Sequence, residues 1–157
     1  MKRVLIFSDT HGDTDRCISI IRGEGHVDAI IHAGDCVSDA EDLSYIFERI
    51  PVYFVKGNND FFTRTPEKLT VIIGGVRIFI AHGHEHRVKY ESDYRTLKAA
   101  AKDADAALAV FGHTHIPYCE DTGNMVAVNP GSITYSRTYA VAEIDGGCVK
   151  ARIEEYR

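Results

Sequence analysis

VLIFSDTHG, residues 4–12, is the segment from which the architecture of this chain follows. Its first four residues are apolar and predict a buried strand, and the polar, glycine-bearing loop that follows ends it. A helix with apolar residues on one face comes next and stops near Gly23. Such strand–loop–helix units build parallel sheets, so we expect Asp9 and His11 beyond the carboxyl end of a sheet strand.

The strand and polar loop of this unit occur twice more before residue 61. Val27–His32 is a predicted strand that ends at Gly34-Asp35, and Val52–Val55 is a third that ends at the sequence Gly-Asn-Asn-Asp, residues 57–60. Between them a helix is expected to begin at Ser38 or Asp39. The three strands predict a parallel sheet with right-handed crossovers, which brings the three polar motifs to one edge.

The rest of the chain contains more strand signals. Two apolar runs flank Gly74-Gly75 as in a hairpin, and residues 92–104 have helical propensity. The further predicted strands are 69–73, 76–81, 106–111, 118–120, 125–128, 139–144 and 149–153. Two mixed β-sheets packed face to face, with helices outside, would bury all of them. We therefore predict an α/β fold with one domain over residues 1–157.

Composition restricts the classes of function. The 157 residues are 45% hydrophobic, and 18 basic against 23 acidic side chains give a formal charge of −5. No Lys/Arg run marks a nucleic-acid surface, and no segment has the roughly 18 apolar residues needed to span a membrane. The four cysteines lie far apart without a C-x-x-C pair, which favours reduced thiols. We expect a cytoplasmic protein with neither nucleic acid nor membrane as its partner.

Five predicted strand ends carry groups that bind metals. They are Asp9-x-His11, Gly34-Asp35, Gly57-Asn58, His82-Gly83-His84 and Gly112-His113-Thr114-His115. Each motif alone is weak evidence, because isolated Gly-Asp or Gly-Asn pairs are usually turns and a lone histidine is more often a hydrogen-bonded core residue. Their joint occurrence, each after a strand, predicts a metal site. Carboxylates with imidazoles suit Mn, Fe, Zn, Ni or Co better than Ca or Mg alone.

Spacing predicts how some of these side chains are presented. The intervening residue places Asp9 and His11 on one side of an extended loop, and the same holds for His113 and His115. The remaining histidines have weaker signals. His32 is expected in the core or beside the site, and His26 and His86 are expected to be exposed. His84 is a proton donor, a surface residue or a neighbour of the site.

The order of these motifs resembles the calcineurin-like metallophosphoesterases. The short chain and its Gly57-Asn58-Asn59-Asp60 segment resemble the small bacterial and archaeal phosphodiesterase branch, whose eukaryotic relative is a subunit of the retromer coat. The resemblance extends from Val4 to the Asn-Pro-Gly-Ser segment at residues 129–132. It implies an αββα sandwich with a dinuclear metal site at one edge.

The resemblance also implies a role for each candidate residue. Asp9, His11 and His115 would hold one metal ion, whereas Asn58, His82 and His113 would hold a second. Asp35 would bridge the two ions, which manganese fits best, with iron, nickel, zinc or cobalt as alternatives. The catalytic set implied is Asp35, Asn58, His82 and His113. A water bridging both ions would be the nucleophile that attacks a small phosphoester, with a diester favoured.

One departure from the family pattern leaves an alternative open. Many members have Gly-Asn-His-Glu, in which the histidine assists the leaving group, but here Asn59 and Asp60 follow Asn58. If the missing histidine is essential for catalysis, the chain would be a non-catalytic or weakly catalytic metal-binding scaffold or protein-interaction module. The complete ligand set favours the hydrolase, and a metal-free nucleotide- or sugar-binding protein would need a glycine-rich phosphate loop that this chain lacks. Asp60 either orients a ligand or is a simple turn carboxylate, and the β-rich last third offers edges for a homo-oligomer.

Overall fold

The computed structural model describes residues 1–157 as ten β-strands, three α-helices and one short 3-10 helix at His84–His86. The strands are β1 Lys2–Phe7, β2 Ala29–His32, β3 Val52–Phe54, β4 Lys68–Ile73, β5 Val76–Ala81, β6 Leu108–Val110, β7 Tyr118–Asp121, β8 Val126–Asn129, β9 Thr138–Asp145 and β10 Cys148–Glu155. The helices are α1 Thr14–Gly23, α2 Val37–Ile46 and α3 Arg95–Asp103. No helix is long and apolar enough to cross a membrane.

The strands form two five-stranded sheets, both mixed. The first has the order β10-β9-β1-β2-β3, and its β1, β2 and β3 are parallel, as the strand–loop–helix units predict. The antiparallel strand β9 pairs with β1 from the far end of the chain. The second sheet has the order β4-β5-β6-β8-β7, and its parallel strands β5, β6 and β8 are flanked by antiparallel β4 and β7.

The main core lies between the two sheets. Val4 and Ile6 of β1 pack there with residues of the second sheet such as Ile78, Ile80 and Val110. The alternate residues of the same strands face outward and are buried too. One outer layer lies under α1, and the other lies under α3. Because the central strands are covered on both faces, they are apolar throughout rather than alternating, and the αββα arrangement predicted from the sequence is confirmed.

Two helices begin at residues other than those predicted. Helix α2 starts at Val37, before Ser38 and Asp39, since the Asp60 carboxylate accepts a hydrogen bond from the Val37 N–H at 2.8 Å. Helix α3 starts at Arg95 rather than at residue 92. In both helices, side chains outside the helix accept hydrogen bonds from N–H groups of the first turn. Local capping patterns in the sequence therefore do not locate the starts of these helices.

Candidate metal centre

The seven candidate ligands lie at neighbouring strand ends. Loops after β1, β2 and β3 of the first sheet supply four of them, and segments after β5 and β6 of the second sheet supply three. The four from the first sheet are Asp9, His11, Asp35 and Asn58, and the three from the second are His82, His113 and His115. The carboxyl-end edges of both sheets therefore meet at one site, as expected for parallel strands.

Asp9 is surrounded by imidazole nitrogens. Its Oδ1 lies 3.1 Å from His115 Nε2, 3.8 Å from His82 Nε2 and 3.9 Å from His11 Nε2. Potential ligand atoms of Asp9, His11 and His115 all fall within 4.8 Å of one another. The structure thus brings together the three residues assigned to the first metal, around a carboxylate that is fully buried.

The second group forms around His82. Its Nε2 lies 3.6 Å from Asp35 Oδ2 and 3.0 Å from Asn58 Oδ1, and its ring centroid lies 5.0 Å from that of His113. Asp9, Asp35 and His82 also offer ligand atoms within 4.8 Å of one another. Asp9 therefore touches both groups, and the two predicted clusters are adjacent.

The donor atoms face one another in a way that favours a cation. The Nδ1 of His82 lies 2.7 Å from the Ala33 carbonyl oxygen, so it carries the ring hydrogen of the neutral imidazole and leaves the Nε2 lone pair towards Asp35 and Asn58. The Nε2 of His11 is buried and has no hydrogen-bond partner. Lone pairs that converge without a donor repel one another, and a bound metal ion removes that repulsion. The donor set fits divalent transition metals.

Burial keeps His113 neutral. Desolvation, together with the neighbouring His82 imidazole and the Lys89 ammonium group, lowers the pKa of His113 to about 4. At neutral pH the ring therefore has a free lone pair and need not lose a proton to bind a metal.

The backbone at the site is strained. Asp9, His11, Asp35, His113 and His115 all have positive φ, between +45° and +71°, so the extended loops expected from residue spacing are wrong. Half of the ten non-glycine residues with positive φ are therefore candidate ligands. Such conformations are rare and cost energy for residues with a Cβ, and they persist where surrounding contacts enforce them. The side chains converge through left-handed turns rather than through strand-like alternation.

Hydrogen bonds enforce the position of each carboxylate. Asp9 Oδ2 accepts from the Ser8 hydroxyl and from the His113 N–H at 3.0 Å. Asp35 accepts from the Asn59 N–H at 3.1 Å and from Asn59 Nδ2 at 2.8 Å. Asn59, which replaces the family histidine, thus holds the proposed bridging carboxylate, a role that residue spacing did not indicate.

Asp60 is a positioning residue. Its Oδ2 accepts from the Gly57 N–H at 2.7 Å and the Asp35 N–H at 2.9 Å, and its Oδ1 accepts from the Val37 N–H. One carboxylate therefore joins the loop after β3 to the loop after β2. Of the two interpretations left open for Asp60, these hydrogen bonds favour the one in which it orients Asp35, a candidate ligand.

The other histidines divide between confirmed and wrong predictions. His32 is fully buried beside the site, and its Nε2 lies 2.9 Å from the Thr10 hydroxyl. His26 is exposed as predicted, but His86 is half-buried against the Phe79 ring, with centroids 5.8 Å apart. His84 lies next to the site, with its ring 5.6 Å from that of His82.

Tyr135 is a further residue at the site that the motifs did not reveal. Its ring stacks on His115 with centroids 5.1 Å apart and an interplanar angle of 9°, and it meets His11 edge-on at 5.4 Å. It is 66% exposed. Nothing in the local sequence pairs this tyrosine with the Gly-His-Thr-His motif.

Comparison with known proteins finds related sequences over most of this chain. Residues 1–147 match the calcineurin-like phosphoesterase superfamily domain. "Probable metallophosphoesterase YsnB" of Bacillus subtilis is 33% identical over 155 residues, which cover 95% of this chain and 88% of that protein. "Phosphodiesterase MJ0936" of Methanocaldococcus jannaschii is 27% identical over 146 residues, covering 82% of each.

Solved structures show the same fold. A predicted phosphoesterase from Streptococcus pneumoniae TIGR4 superposes with a TM-score of 0.78 at 29% identity, covering 98% of both chains. Vps29 proteins from Entamoeba histolytica and Cryptosporidium parvum share the fold at 21% identity or less.

Proposed function

Because the chain belongs to the calcineurin-like phosphoesterase superfamily, we propose that it hydrolyses small phosphodiesters at a dinuclear metal site. One observation carries this proposal. Seven side chains from five strand ends converge around two buried aspartates, with the His82 Nε2 lone pair facing the Asp35 and Asn58 oxygens. A scaffold without a bound cation would gain nothing from such an arrangement, because it leaves lone pairs opposed and the backbone strained.

The two clusters would divide the ligands between two ions. Asp9, His11 and His115 would hold one, and Asn58, His82 and His113 would hold the other. Asp35, which lies 3.6 Å from His82 Nε2, would be shared between them. When bound, two divalent cations supply a water acidic enough to attack phosphorus near neutral pH and positive charge for the phosphoryl oxygens. Manganese is the ion we favour, because it accepts both the carboxylates and the imidazoles of this set.

The side chains of the protein prepare this chemistry. His82 is fixed by Ala33 with its Nε2 lone pair towards the site, and His113 is neutral because burial lowers its pKa to about 4. Asn59 and Asp60 hold Asp35 by its side chain and its backbone, respectively. Positioning before the substrate arrives lowers the reorganisation needed in the reaction.

The replacement of the family histidine by Asn59 limits the leaving group. Asn59 Nδ2 donates to Asp35 and cannot transfer a proton, so esters whose leaving group departs as a stable anion are the preferred substrates. We expect p-nitrophenyl diesters to be cleaved much faster than alkyl diesters.

The four cysteines are unpaired, which supports the reducing cytoplasm as the compartment of this protein.

Metal-restored enzyme kinetics tests the proposal. The purified protein is stripped with chelator, reloaded with Mn, Zn, Ni, Fe or Co, and assayed with bis(p-nitrophenyl) phosphate and p-nitrophenyl phosphate. We expect metal-dependent turnover that falls at least about 100-fold in Asp35→Asn. The exposed Asp42→Asn is the matched control and should keep full activity.

Two results would contradict the hydrolase. Turnover that is unchanged in Asp35→Asn would reject this site as its source. Binding of two metals without turnover of any ester would instead favour the scaffold alternative.

A further inference from the structure

A groove of about 680 Å³ lies beside the metal centre and is not used by the ligands described above. Its walls come from residues 88–92 and Tyr94, which follow the 3-10 helix, and from Thr114 and Ile116, which flank His115 in sequence. Thr114 lines the groove and stands between His113 and His115 in sequence, so the groove opens next to the proposed ligands. Its size is in the range of small-molecule sites.

Lys89 brings an unpaired positive charge to this groove. It is exposed, and no carboxylate lies within ion-pair distance of its ammonium group. An unpaired cation beside the site suits an anionic ligand on a protein whose formal charge is −5.

The carboxylate in the groove does not oppose such a ligand. Glu91 is buried and accepts hydrogen bonds from the Thr96 N–H at 2.9 Å and the Thr96 hydroxyl at 2.7 Å. Arg95 and Arg87 lie within 4.0 Å of its Oε2. The negative charge of Glu91 is therefore compensated by hydrogen bonds from α3 and by two arginines. Lys89 is the main uncompensated charge at the groove.

Thr114 offers a directed hydrogen-bond donor. Its hydroxyl oxygen accepts from Asn129 Nδ2 at 2.9 Å and from the Ile116 N–H at 3.1 Å. The Asn129 amide orientation is set because its Nδ2 also donates to the Gly112 carbonyl and its Oδ1 accepts from the Gly131 N–H. A hydroxyl has two lone pairs and one hydrogen, so the Thr114 hydrogen is left for a ligand or solvent.

Two large apolar side chains line the same groove and remain exposed. Tyr90 is 81% exposed and Ile116 is 61% exposed. The Tyr90 ring is held by the Arg87 guanidinium, which lies 5.7 Å from its centroid. An exposed aromatic ring and an aliphatic side chain beside a cationic site are suited to a planar organic group.

We propose that this groove binds a ring-bearing ester substituent of the substrate, with Tyr90 and Ile116 contacting the ring and Lys89 and Thr114 contacting phosphoryl oxygens. The inference rests on the phosphodiesterase function above and narrows it to aryl or nucleoside diesters. Phosphomonoesters leave the apolar part of the groove empty, and dialkyl diesters fill little of it.

Equilibrium binding of two unreactive diesters tests the groove without requiring turnover. Diphenyl phosphate and dimethyl phosphate are titrated calorimetrically into the manganese-loaded protein. We expect diphenyl phosphate to bind about tenfold more tightly, and we expect Tyr90→Ala and Ile116→Ala each to remove most of that preference while leaving dimethyl phosphate unaffected. Tyr45→Ala and Ile72→Ala, at exposed positions away from the groove, are the matched controls.

The polar contacts have their own test. Lys89→Ala should lower the affinity for both diesters by a similar factor of about three to ten. Lys150→Ala, at an exposed position, should leave both affinities unchanged. Thr114→Val should weaken both ligands, and Thr114→Ser, which keeps the hydroxyl, should restore binding.

The outcomes separate this inference from the proposed function. Equal affinity for the two diesters in the wild-type protein, or a preference unchanged in Tyr90→Ala, overturns the groove assignment even if the protein hydrolyses diesters. A tyrosine-dependent preference supports the groove even if turnover is absent, in which case the proposed hydrolase alone fails.

Discussion

At the residue scale, the site depends on places where no side chain fits. A Cβ on Gly57 would lie 2.0 Å from Asp35 Oδ1, and one on Gly112 would lie 2.6 Å from Asp9 Oδ2. The glycines of the Gly-Asn and Gly-His motifs therefore allow the two aspartate side chains to approach the backbone closely. Their role is steric as much as conformational.

Gly57→Ala should displace Asp35 and lower metal affinity. The overlap of the new methyl group with the carboxylate and with the Asp35 backbone nitrogen, 3.0 Å away, should cost roughly 1–3 kcal/mol of unfolding free energy. Urea unfolding and metal titration measure the two effects. Gly23→Ala, in α1 with no atom within 4 Å of the new Cβ, is the control and should be neutral or slightly stabilising. Equal behaviour of the two variants would contradict the steric argument.

Asp60→Asn should loosen the same loop by a different route. The asparagine amide group has one acceptor oxygen, so at least one of the N–H groups of Gly57, Asp35 and Val37 would face an NH₂ donor. We expect a loss of roughly 1–3 kcal/mol in unfolding free energy and weaker metal binding. Calorimetric metal titration of Asp60→Asn against Asp42→Asn checks this, and full metal affinity in Asp60→Asn would refute the positioning role.

At the scale of elements, one buried chain of hydrogen bonds joins β2, the loop after β1 and helix α2. The Gly34 N–H donates to His32 Nδ1 at 3.2 Å, so the ring hydrogen is on Nε2 and points to the Thr10 hydroxyl. Thr10 in turn donates to Asp39, which also accepts from the Gly12 N–H. A proton added to Nδ1 would face a donor, so the neutral ring is the form that the fold holds.

Protonation of His32 should therefore destabilise the protein at acidic pH. Burial lowers the pKa of His32 in the folded state from 6.5 to about 4, so between these values the unfolded chain takes up the proton first. Stability from this group is complete above pH 6.5 and is lost as pH falls towards 4. The contribution is on the order of 2 kcal/mol between pH 7 and 4.5.

Urea unfolding of the metal-free protein at these two pH values measures the effect. His113 shifts in the same direction, so the comparison of wild type with His32→Asn isolates the part due to His32. His32→Asn should be less stable at pH 7 and should lose less on acidification. The exposed His26→Asn should follow the wild type, and an identical pH dependence in His32→Asn would count against the assignment.

At the scale of the whole molecule, the candidate metal site lies between the two sheets and takes residues from both. Asp9 and Asp35 come from the first sheet, whereas His82, His113 and His115 come from the second, so a bound cation ties them together. Metal binding should therefore stabilise the fold as a unit rather than one loop. Of the outer strands, β7 and β10 come from the β-rich last third of the chain, and a homo-oligomer formed at these edges stays a prediction.

Metal loading should raise the midpoint of thermal unfolding by roughly 5–10 °C at a free metal concentration about 100-fold above its dissociation constant. Differential scanning calorimetry with and without chelator measures this in one cooperative transition. Asp9→Asn, which removes a charge from both clusters, should abolish the shift, and His26→Asn should retain it. A shift that survives in Asp9→Asn would place the stabilising metal elsewhere.

Local sequence determined the elements of this protein and the identity of its candidate ligands. Apolar runs predicted most of the strands, and helical periodicity predicted the three helices. Both signals are carried by residues that are close together in the sequence. The five motifs predicted the residues that meet at the site, since parallel strands end at a common edge. The Asn59 substitution was visible as a departure from the family pattern, although its contact with Asp35 was not.

Tertiary structure alone decided how those parts are joined. Three features depend on residues far apart in the chain: the entry of β9 beside β1, the left-handed backbone of five candidate ligands, and the three hydrogen bonds accepted by Asp60. The same is true of the Tyr135 stack and of the groove beside Lys89. Patterns over a few residues describe which face is buried, but contacts between distant segments depend on how the two sheets pack, and that packing is a property of the whole chain.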